Sequence, residues 1–425
     1  MLPLISEKFE RFFCRALFIA LCVLPTSVVA GWTYFQRLPG HRLACEQALT
    51  RQLGLAVKLG SVEHTRPGDL RLATVELREP ETNQLVAKID KIDARRHRGD
   101  WWLTLANTEL SLAGCAPLGE LLERHLRWPT AGSTAKVHLA ASHAAVTNGS
   151  HKWKVEQLAA TLAAAPRHAE ARLVFHWQGA AATQPVALKL VRERDLPEPT
   201  TRLDLQTGDA PFPVALLDPW LDGSHWLGRK STLLGKGRVE IARQAKRWTV
   251  EGHFEGVELN QLVTAHFGHQ LAGTAQLDLQ AEGYGQRVLR ASGELASRQG
   301  AIGRSLLASL GKELGMTVAP LPAAMGDRFR FEELKLAYTL SDDGSLKLLG
   351  GSRYAEGALL VDANGVLLRE PPTTQETAGL IRALAASGAP TLPSTSRTAM
   401  LSRVLPIRSE PSRGVHYRQP VRKAP

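Results

Sequence analysis

GTAQLDLQAEG, Gly273–Gly283, is the stretch whose reading decides the fold. Ala275, Leu277, Leu279 and Ala281 alternate with Thr274, Gln276, Asp278, Gln280 and Glu282. Successive side chains of an extended strand point to opposite faces, so this run has one apolar face and one wet face. Parallel strands buried on both faces read as continuous apolar runs, so the alternation predicts antiparallel sheet solvated on one side.

The same period recurs in both directions from this run. Upstream it is carried by Leu103/Leu105, Leu110/Leu112, Leu173/Phe175/Trp177, Val186/Leu188/Leu190, Leu203/Leu205, Val239/Ile241 and Trp248/Val250/Phe254. Downstream it returns in Leu334/Leu336/Tyr338/Leu340. Leu70/Leu72 followed by Val75/Leu77 slips phase by one residue, as at a β-bulge. Asn148-Gly149, Gly283-Tyr284-Gly285, Asp343-Gly344 and Asn364-Gly365 supply turns. Gly235-Lys236-Gly237 also reads as a turn, before a strand. Helical periodicity is confined to Glu258–His266, Arg304–Leu314 and Thr374–Ala386, the last with a cap at Thr373/Thr374 and Glu376. Arg192–Pro199 reads as a loop.

The expected fold class is mainly β: one N-terminal transmembrane helix, then an elongated, curved antiparallel sheet with a few short helices, groove-like or sandwich-like. The expected organisation is a short tail over 1–15, the membrane segment over 16–35 and β-rich regions over 37–235 and 236–370. A helix over 371–386 and a disordered basic tail over 387–425 complete it.

The membrane segment runs ALFIALCVLPTSVVAGWTYF, with no charge between Arg15 and Arg37. About 20 apolar residues at 1.5 Å each span a ~30 Å hydrocarbon core. Its anchoring side chains are Ala16, Leu17, Phe18, Ile19, Leu21, Val23, Leu24, Val28 and Val29, ending in the interfacial rings Trp32, Tyr34 and Phe35. A basic start and the small-residue end Val28-Val29-Ala30 also fit a cleaved signal peptide. The length of the run and the aromatic cluster after Ala30 favour a retained anchor, with the N-terminus inside.

The net charge of +11 suggests anionic lipid or nucleic acid, but Arg397, Arg403, Arg408, Arg413, Arg418, Arg422 and Lys423 against Glu410 give the last 39 residues +6. The remaining +5 leaves the body mildly basic, and without interleaved aromatics no nucleic-acid partner is expected. Cys14 and Cys22 fall at the membrane segment; Cys45 and Cys115 either pair or are unrelated buried thiols.

No nucleophile elbow, phosphate loop or metal-ligand spacing occurs, so neither catalysis nor a cofactor is expected. His266 and His269 lack a neighbouring acid or thiol to complete a ligand set, and Asp342-Asp343-Gly344 lacks the later carboxylates of a calcium loop. The suggestive polar cluster is Arg95-Arg96-His97-Arg98 followed by Trp101 and Trp102. Arg95, Arg96 and Arg98 are candidate lipid head-group contacts, the alternative being a solvated turn whose tryptophans enter the core. Too few helices exist to cover the apolar strand positions. That makes Val239, Ile241, Trp248, Val250, Phe254, Leu277, Leu279, Leu334, Leu336, Tyr338 and Leu340 candidates for an open, lipid-binding face. Two sheets packed face to face would bury them instead.

Three stretches resemble the AsmA-like proteins of double-membrane bacteria. LTRQLGLAVKLGSVEHTRPGDLRLATVELREPETNQLVAKIDKIDAR (Leu49–Arg95) looks like that family's opening module. WTVEGHFEGVELNQLVTAHFGHQLAGTAQLDLQAEGYG (Trp248–Gly285) is similar to its recurrent strand, helix and strand. LRASGELASRQGAIGRSLLASLGKEL (Leu289–Leu314), with the strand at 329–341, looks like the continuation. The resemblance implies a single-pass inner-membrane protein with its bulk in the periplasm. It further implies a role in outer-membrane maintenance through binding or transferring membrane lipid. The competing expectation is an assembly factor that binds envelope proteins through exposed strand edges.

Overall fold

The computed structural model describes residues 7–66, 68–127, 135–149, 151–165, 167–179, 183–218, 224–243, 245–321, 326–385 and 395–407. The chain is mainly β and divides into two compact units, 1–181 and 182–425. The expected boundary at 235/236 moves earlier because the strands of 186–206 hydrogen-bond into the second unit's sheet, where Leu205 faces Gly237.

The first unit opens with α1 (Glu7–Phe18), a wide turn over Ile19–Val23, and α2 (Leu24–Arg37). Pro25 cannot donate to the preceding turn; the wide turn precedes it, and the Thr26 hydroxyl donates to the Cys22 carbonyl at 2.5 Å. Arg11–Gly31 is long and apolar enough to cross a membrane, and none of it is buried in the protein. Helix thus begins inside the expected tail, at Glu7; residues 1–6 and the side chain of Trp32 lie outside the described ones. Leu38, extended at ψ 142°, separates α2 from α3 (Pro39–Leu53), which ends at left-handed Gly54.

Strands β1 (Ala56–Arg66), β2 (Asp69–Arg78), β3 (Leu85–His97) and β4 (Asp100–Ser111) form an antiparallel meander. β5 (Val137–Asn148), β6 (His151–Ala164) and β7 (His168–Trp177) extend it antiparallel. β5 runs parallel to β4, correcting the expectation of purely antiparallel pairing. A parallel return needs a long crossover, and α4 (Cys115–Arg127), missed in the sequence, provides it. Its Leu118 and Leu121 pack on Val86, Ala87 and Leu110. The phase slip expected between Leu72 and Val75 is real: Thr74 sits at φ 50°. Asn107 (φ 48°) and Gln157 (φ 52°) carry this crease across β4 and β6, while the β3–β4 and β5–β6 pairings keep their register. Leu72, Val75, Ile89, Leu105 and Ala141 thereby stay on one face, under Cys45, Leu49 and Leu53 of α3.

In the second unit, β8 (Val186–Glu193) and β9 (Thr200–Gln206) pair with each other, and β9 and β10 (Phe212–Pro213) line one edge of β11 (Thr232–Ala242). The antiparallel order continues through β12 (Ala245–Glu258), β13 (Leu271–Tyr284) and β14 (Arg287–Ser297). Short β15 (Gly300–Gly303), β16 (Thr317–Val318) and β17 (Arg328–Phe331) precede β18 (Glu333–Leu340) and β19 (Ser345–Gly350), which join beside β14. β20 (Ala358–Asp362), β21 (Gly365–Arg369) and β22 (Gln375–Glu376) close that end. Gly235-Lys236-Gly237 lies inside β11 and forms no turn, because β9 and β12 both pair with it there.

Helix α5 (Arg304–Leu314) forms where expected and buries Leu306, Leu307 and Leu314. α6 (Thr377–Leu384) is shorter than the expected 371–386 helix because Gln375 and Glu376 pair with β19 as a strand. α7 (Ser396–Val404), inside the expected disordered tail, is held by a reciprocal cap between Thr395 and Thr398. Arg408, Arg413, Arg418, Arg422 and Lys423 lie outside the described residues. The 258–266 helix is reduced to one wide turn, Asn260–Thr264.

Leu307 is fully enclosed while Leu289 is 40% exposed. Leu307→Ala should therefore lower unfolding stability by about 2–5 kcal/mol, and Leu289→Ala by about 0.5 kcal/mol or less. Urea denaturation of the detergent-solubilised chain measures both.

Candidate functional site

Across β9, β11, β12, β13, β14 and β18 the two faces of the second unit's sheet differ completely in chemistry. On the wet face, Arg202 and Arg238 flank Asp204 at 3.2 and 2.5 Å, and Lys236 meets Glu251 at 2.9 Å. His253 Nδ1 is 2.7 Å from Asp278, and Lys335 is 3.2 Å from Glu294. The opposite face carries Leu203 and Leu205; Val239 and Ile241; Trp248, Val250 and Phe254; Leu277 and Leu279; Leu334, Leu336, Tyr338 and Leu340. The registers put these in rows: Leu203–Val239–Trp248, and Phe254–Leu277–Leu295–Leu336. All eleven groove candidates read from the sequence therefore share one face of one sheet.

Cover over that face is uneven. Phe254, Leu334 and Leu340 are buried, and Leu277, Leu279, Leu336 and Tyr338 pack against the cluster formed with α5 and α6. Val239, Ile241 and Trp248 are half-buried. Leu203, Val239, Ile241 and Trp248 are absent from that cluster. The face is thus a helix-covered core at the β13–β19 side that reaches Phe254 of β12 and Leu233 of β11, and a half-buried apolar strip through Leu203, Val239, Ile241 and Trp248.

Two large side chains lie flat on this face. A β-carbon on Gly283 would collide with the Trp248 indole, and one on Gly293 would overlap the Asp278 carbonyl and sit 3.0 Å from the Tyr338 hydroxyl. Large side chains laid across cross-strand glycines shield the bare backbone. Trp248 Nε1 donates to the Gly285 carbonyl at 3.2 Å, and the Tyr338 hydroxyl donates to the Asp278 carbonyl at 3.3 Å. Their polar ends are therefore occupied by backbone, leaving apolar ring surface. Burial, with the Asp278 charge adding to it, pushes the Tyr338 phenol up to about 12.

The candidate head-group arginines sit at the β3–β4 hairpin, whose turn uses Arg98 (φ 52°) and Gly99 (φ 95°). Arg95, Arg96 and Arg98 are exposed. Trp101 and Trp102 stay 36% and 49% exposed, so they do not enter the core as the solvated-turn alternative required. Arg96 stacks over Trp101 at 6.0 Å, and Trp102 stacks on His138 at 4.1 Å between centroids. On the membrane segment Leu17, Phe18, Ile19, Leu21, Val23, Leu24, Val28, Val29, Tyr34 and Phe35 are all exposed, with Ala16 beside them.

No group of three or more metal-ligating side chains occurs among the described residues. His269 is buried, with Nδ1 3.1 Å from the Ser305 hydroxyl, whereas His266 stacks on Trp226 at 4.3 Å. Cys45 and Cys115 are free thiols; the Cys115 thiol donates to the Ser111 carbonyl. A depression of about 620 Å³ on the first unit's sheet is lined by Lys88, Asp90, Asn107, Glu109, His143 and Lys152, where Lys152 pairs with Glu109 and Asn107 donates to Asp90. No protein family, curated protein or solved structure matches the chain.

Because the fold favours the neutral Tyr338 phenol, its contribution is complete below the ordinary tyrosine value near 10. It is lost as pH rises from there toward about 12. Ultraviolet difference titration should show one late-ionising tyrosine that Tyr338→Phe removes, together with a shallower fall in stability over that window.

Proposed function

We propose that the chain is a membrane-anchored envelope protein that binds acyl chains of membrane lipid on the strip through Leu203, Val239, Ile241 and Trp248. The observation that carries this reading is the row Leu203–Val239–Trp248, half-buried and outside the core cluster formed with α5 and α6, on a face whose reverse side is laced with ion pairs. Exposed apolar strips of this kind mark binding surfaces. Trp248, flattened over Gly283 with its indole N–H already bonded, offers a smooth floor that makes no polar demand on a guest. The resemblance of Trp248–Gly285 and its neighbours to AsmA-like proteins supports the same reading. Under this reading the body stands in the periplasm, in the service of the outer membrane.

The exposed apolar span Arg11–Gly31 fits the anchoring part of the proposal. Full-length protein purified in a lipid-free detergent should carry phospholipid detectable by mass spectrometry. Val239→Glu, which puts a charge into the strip, should reduce the bound lipid at least about five-fold, since stranding a charge against a guest costs more than ~1 kcal/mol. Glu240→Gln on the reverse face should leave it unchanged. Equal lipid in all three proteins would refute the site. Cross-linking from Val239 that captures protein instead of lipid would favour an assembly factor.

A further inference from the structure

We propose that the β3–β4 rim of the first unit's sheet rests on the anionic phospholipid head groups of the same membrane that the N-terminal helix crosses. In this arrangement Arg66, Arg95, Arg96 and Arg98 contact phosphate, and Trp101 and Trp102 lie in the interface. This rests on the anchoring part of the proposed function and is independent of acyl-chain binding by the second unit.

The placement follows from a chain of contacts within the first unit. Phe35, at the end of the membrane segment, lies 6.2 Å from the His41 ring, and His41 Nε2 is 3.1 Å from His64 Nε2 on β1. Helix α3 runs back along β1: Glu46 accepts from the Leu59 backbone N–H and Thr50 from that of Val57. The start of α3 therefore lies against the end of β1, and β1 continues past His64 to Arg66.

The register His64–Leu70–Ala94–Leu103 brings the start of β2, the end of β3 and the start of β4 to the same level. Beyond that row stand Arg66, Arg95, Arg96, His97, Arg98, Trp101 and Trp102, together with Lys136 beside the start of β5. Leu38 and Leu43, at the anchor side of α3, are also exposed.

The charge of the rim fits the partner. Asp93 is occupied by Arg71 and Lys91 at 2.7 and 2.8 Å, and Asp100 accepts from the Lys136 backbone N–H and faces His138. The remaining acids near the rim are Asp69, opposite Arg95 in the register, and exposed Glu63, which faces Arg71 in the row of Asp93. Arg66, Arg95, Arg96 and Arg98 have no carboxylate partner among the described residues. Four cations free of ion pairs beside paired tryptophans match a phosphate layer over a hydrocarbon boundary.

The test uses the full-length chain in vesicles whose lipid carries a nitroxide on the head group. Trp101 and Trp102 are isolated as the difference between the natural chain and Trp101→Phe/Trp102→Phe. With anionic phospholipid present, that difference signal should be quenched. In zwitterionic vesicles the quenching should drop several-fold, as it should in Arg95→Gln/Arg96→Gln/Arg98→Gln. Molar salt, which shortens screening to about 3 Å, should release it in the unaltered chain, so the result does not hinge on how a variant folds. Quenching that is equal with and without Trp101 and Trp102, or indifferent to both salt and anionic lipid, overturns the proposal. Loss of co-purified lipid without loss of this quenching would remove acyl-chain binding alone.

Discussion

The structure depends on the segregation of charge to one side of the second unit's sheet. Asp204, Glu251 and Glu294 each find a cation on the wet face, and Asp278 meets the His253 ring. Each such exposed pair contributes about 0–1 kcal/mol, so the pairs keep that face in water more than they hold strands together. Cohesion comes from the reverse face, where enclosing a leucine or phenylalanine contributes about 1.5–3 kcal/mol. Leu306, Leu307 and Leu314 of α5 therefore sit over Phe329, Phe331, Leu359 and Leu360. That cluster does not reach Leu203, Val239, Ile241 or Trp248.

What the uncovered part does with its exposure follows from the glycines. Gly283 leaves room for Trp248 to lie down on the uncovered part, and Gly293 does the same for Tyr338 within the helix-covered part, so that each ring shields bare backbone. The hydrogen-bonding atoms of both rings are already satisfied, by the Gly285 and Asp278 carbonyls. The first unit meets a similar problem with different means. Its crease through Thr74, Asn107 and Gln157 resets the pleat so that both halves of each strand keep apolar residues toward α3.

Much of this was legible because period two is a local signal. Leu277 and Leu279 announce their face without knowledge of any neighbour, and so does the slip between Leu72 and Val75. The β4–β5 parallel pair was not legible, because strand direction is set by α4, whose Leu118, Leu121 and Leu126 were too few to outweigh the surrounding β pattern. Gly235-Lys236-Gly237 was misleading for a related reason: glycine marks both turns and strands that must approach closely, and only the partners β9 and β12 decide between them. The exposure of Trp101 and Trp102 likewise depends on the hairpin standing clear of the core, which no window around those residues encodes. The split of the apolar face into covered and open parts was also out of reach, because it requires knowing where α5 lands.

The two exposed apolar surfaces differ in what they can hold. The Arg11–Gly31 helix offers its whole circumference, and immersion in hydrocarbon rewards every side chain along it. The strip through Leu203, Val239, Ile241 and Trp248 offers one side only. At about 0.8 kcal/mol per buried CH₂, ten methylenes covered on one side gain about 4 kcal/mol, which corresponds to roughly millimolar binding. An acyl chain on such a strip exchanges readily, whereas the anchor does not. That asymmetry suits a tethered surface over which lipid passes, and it is poorly suited to storing a ligand.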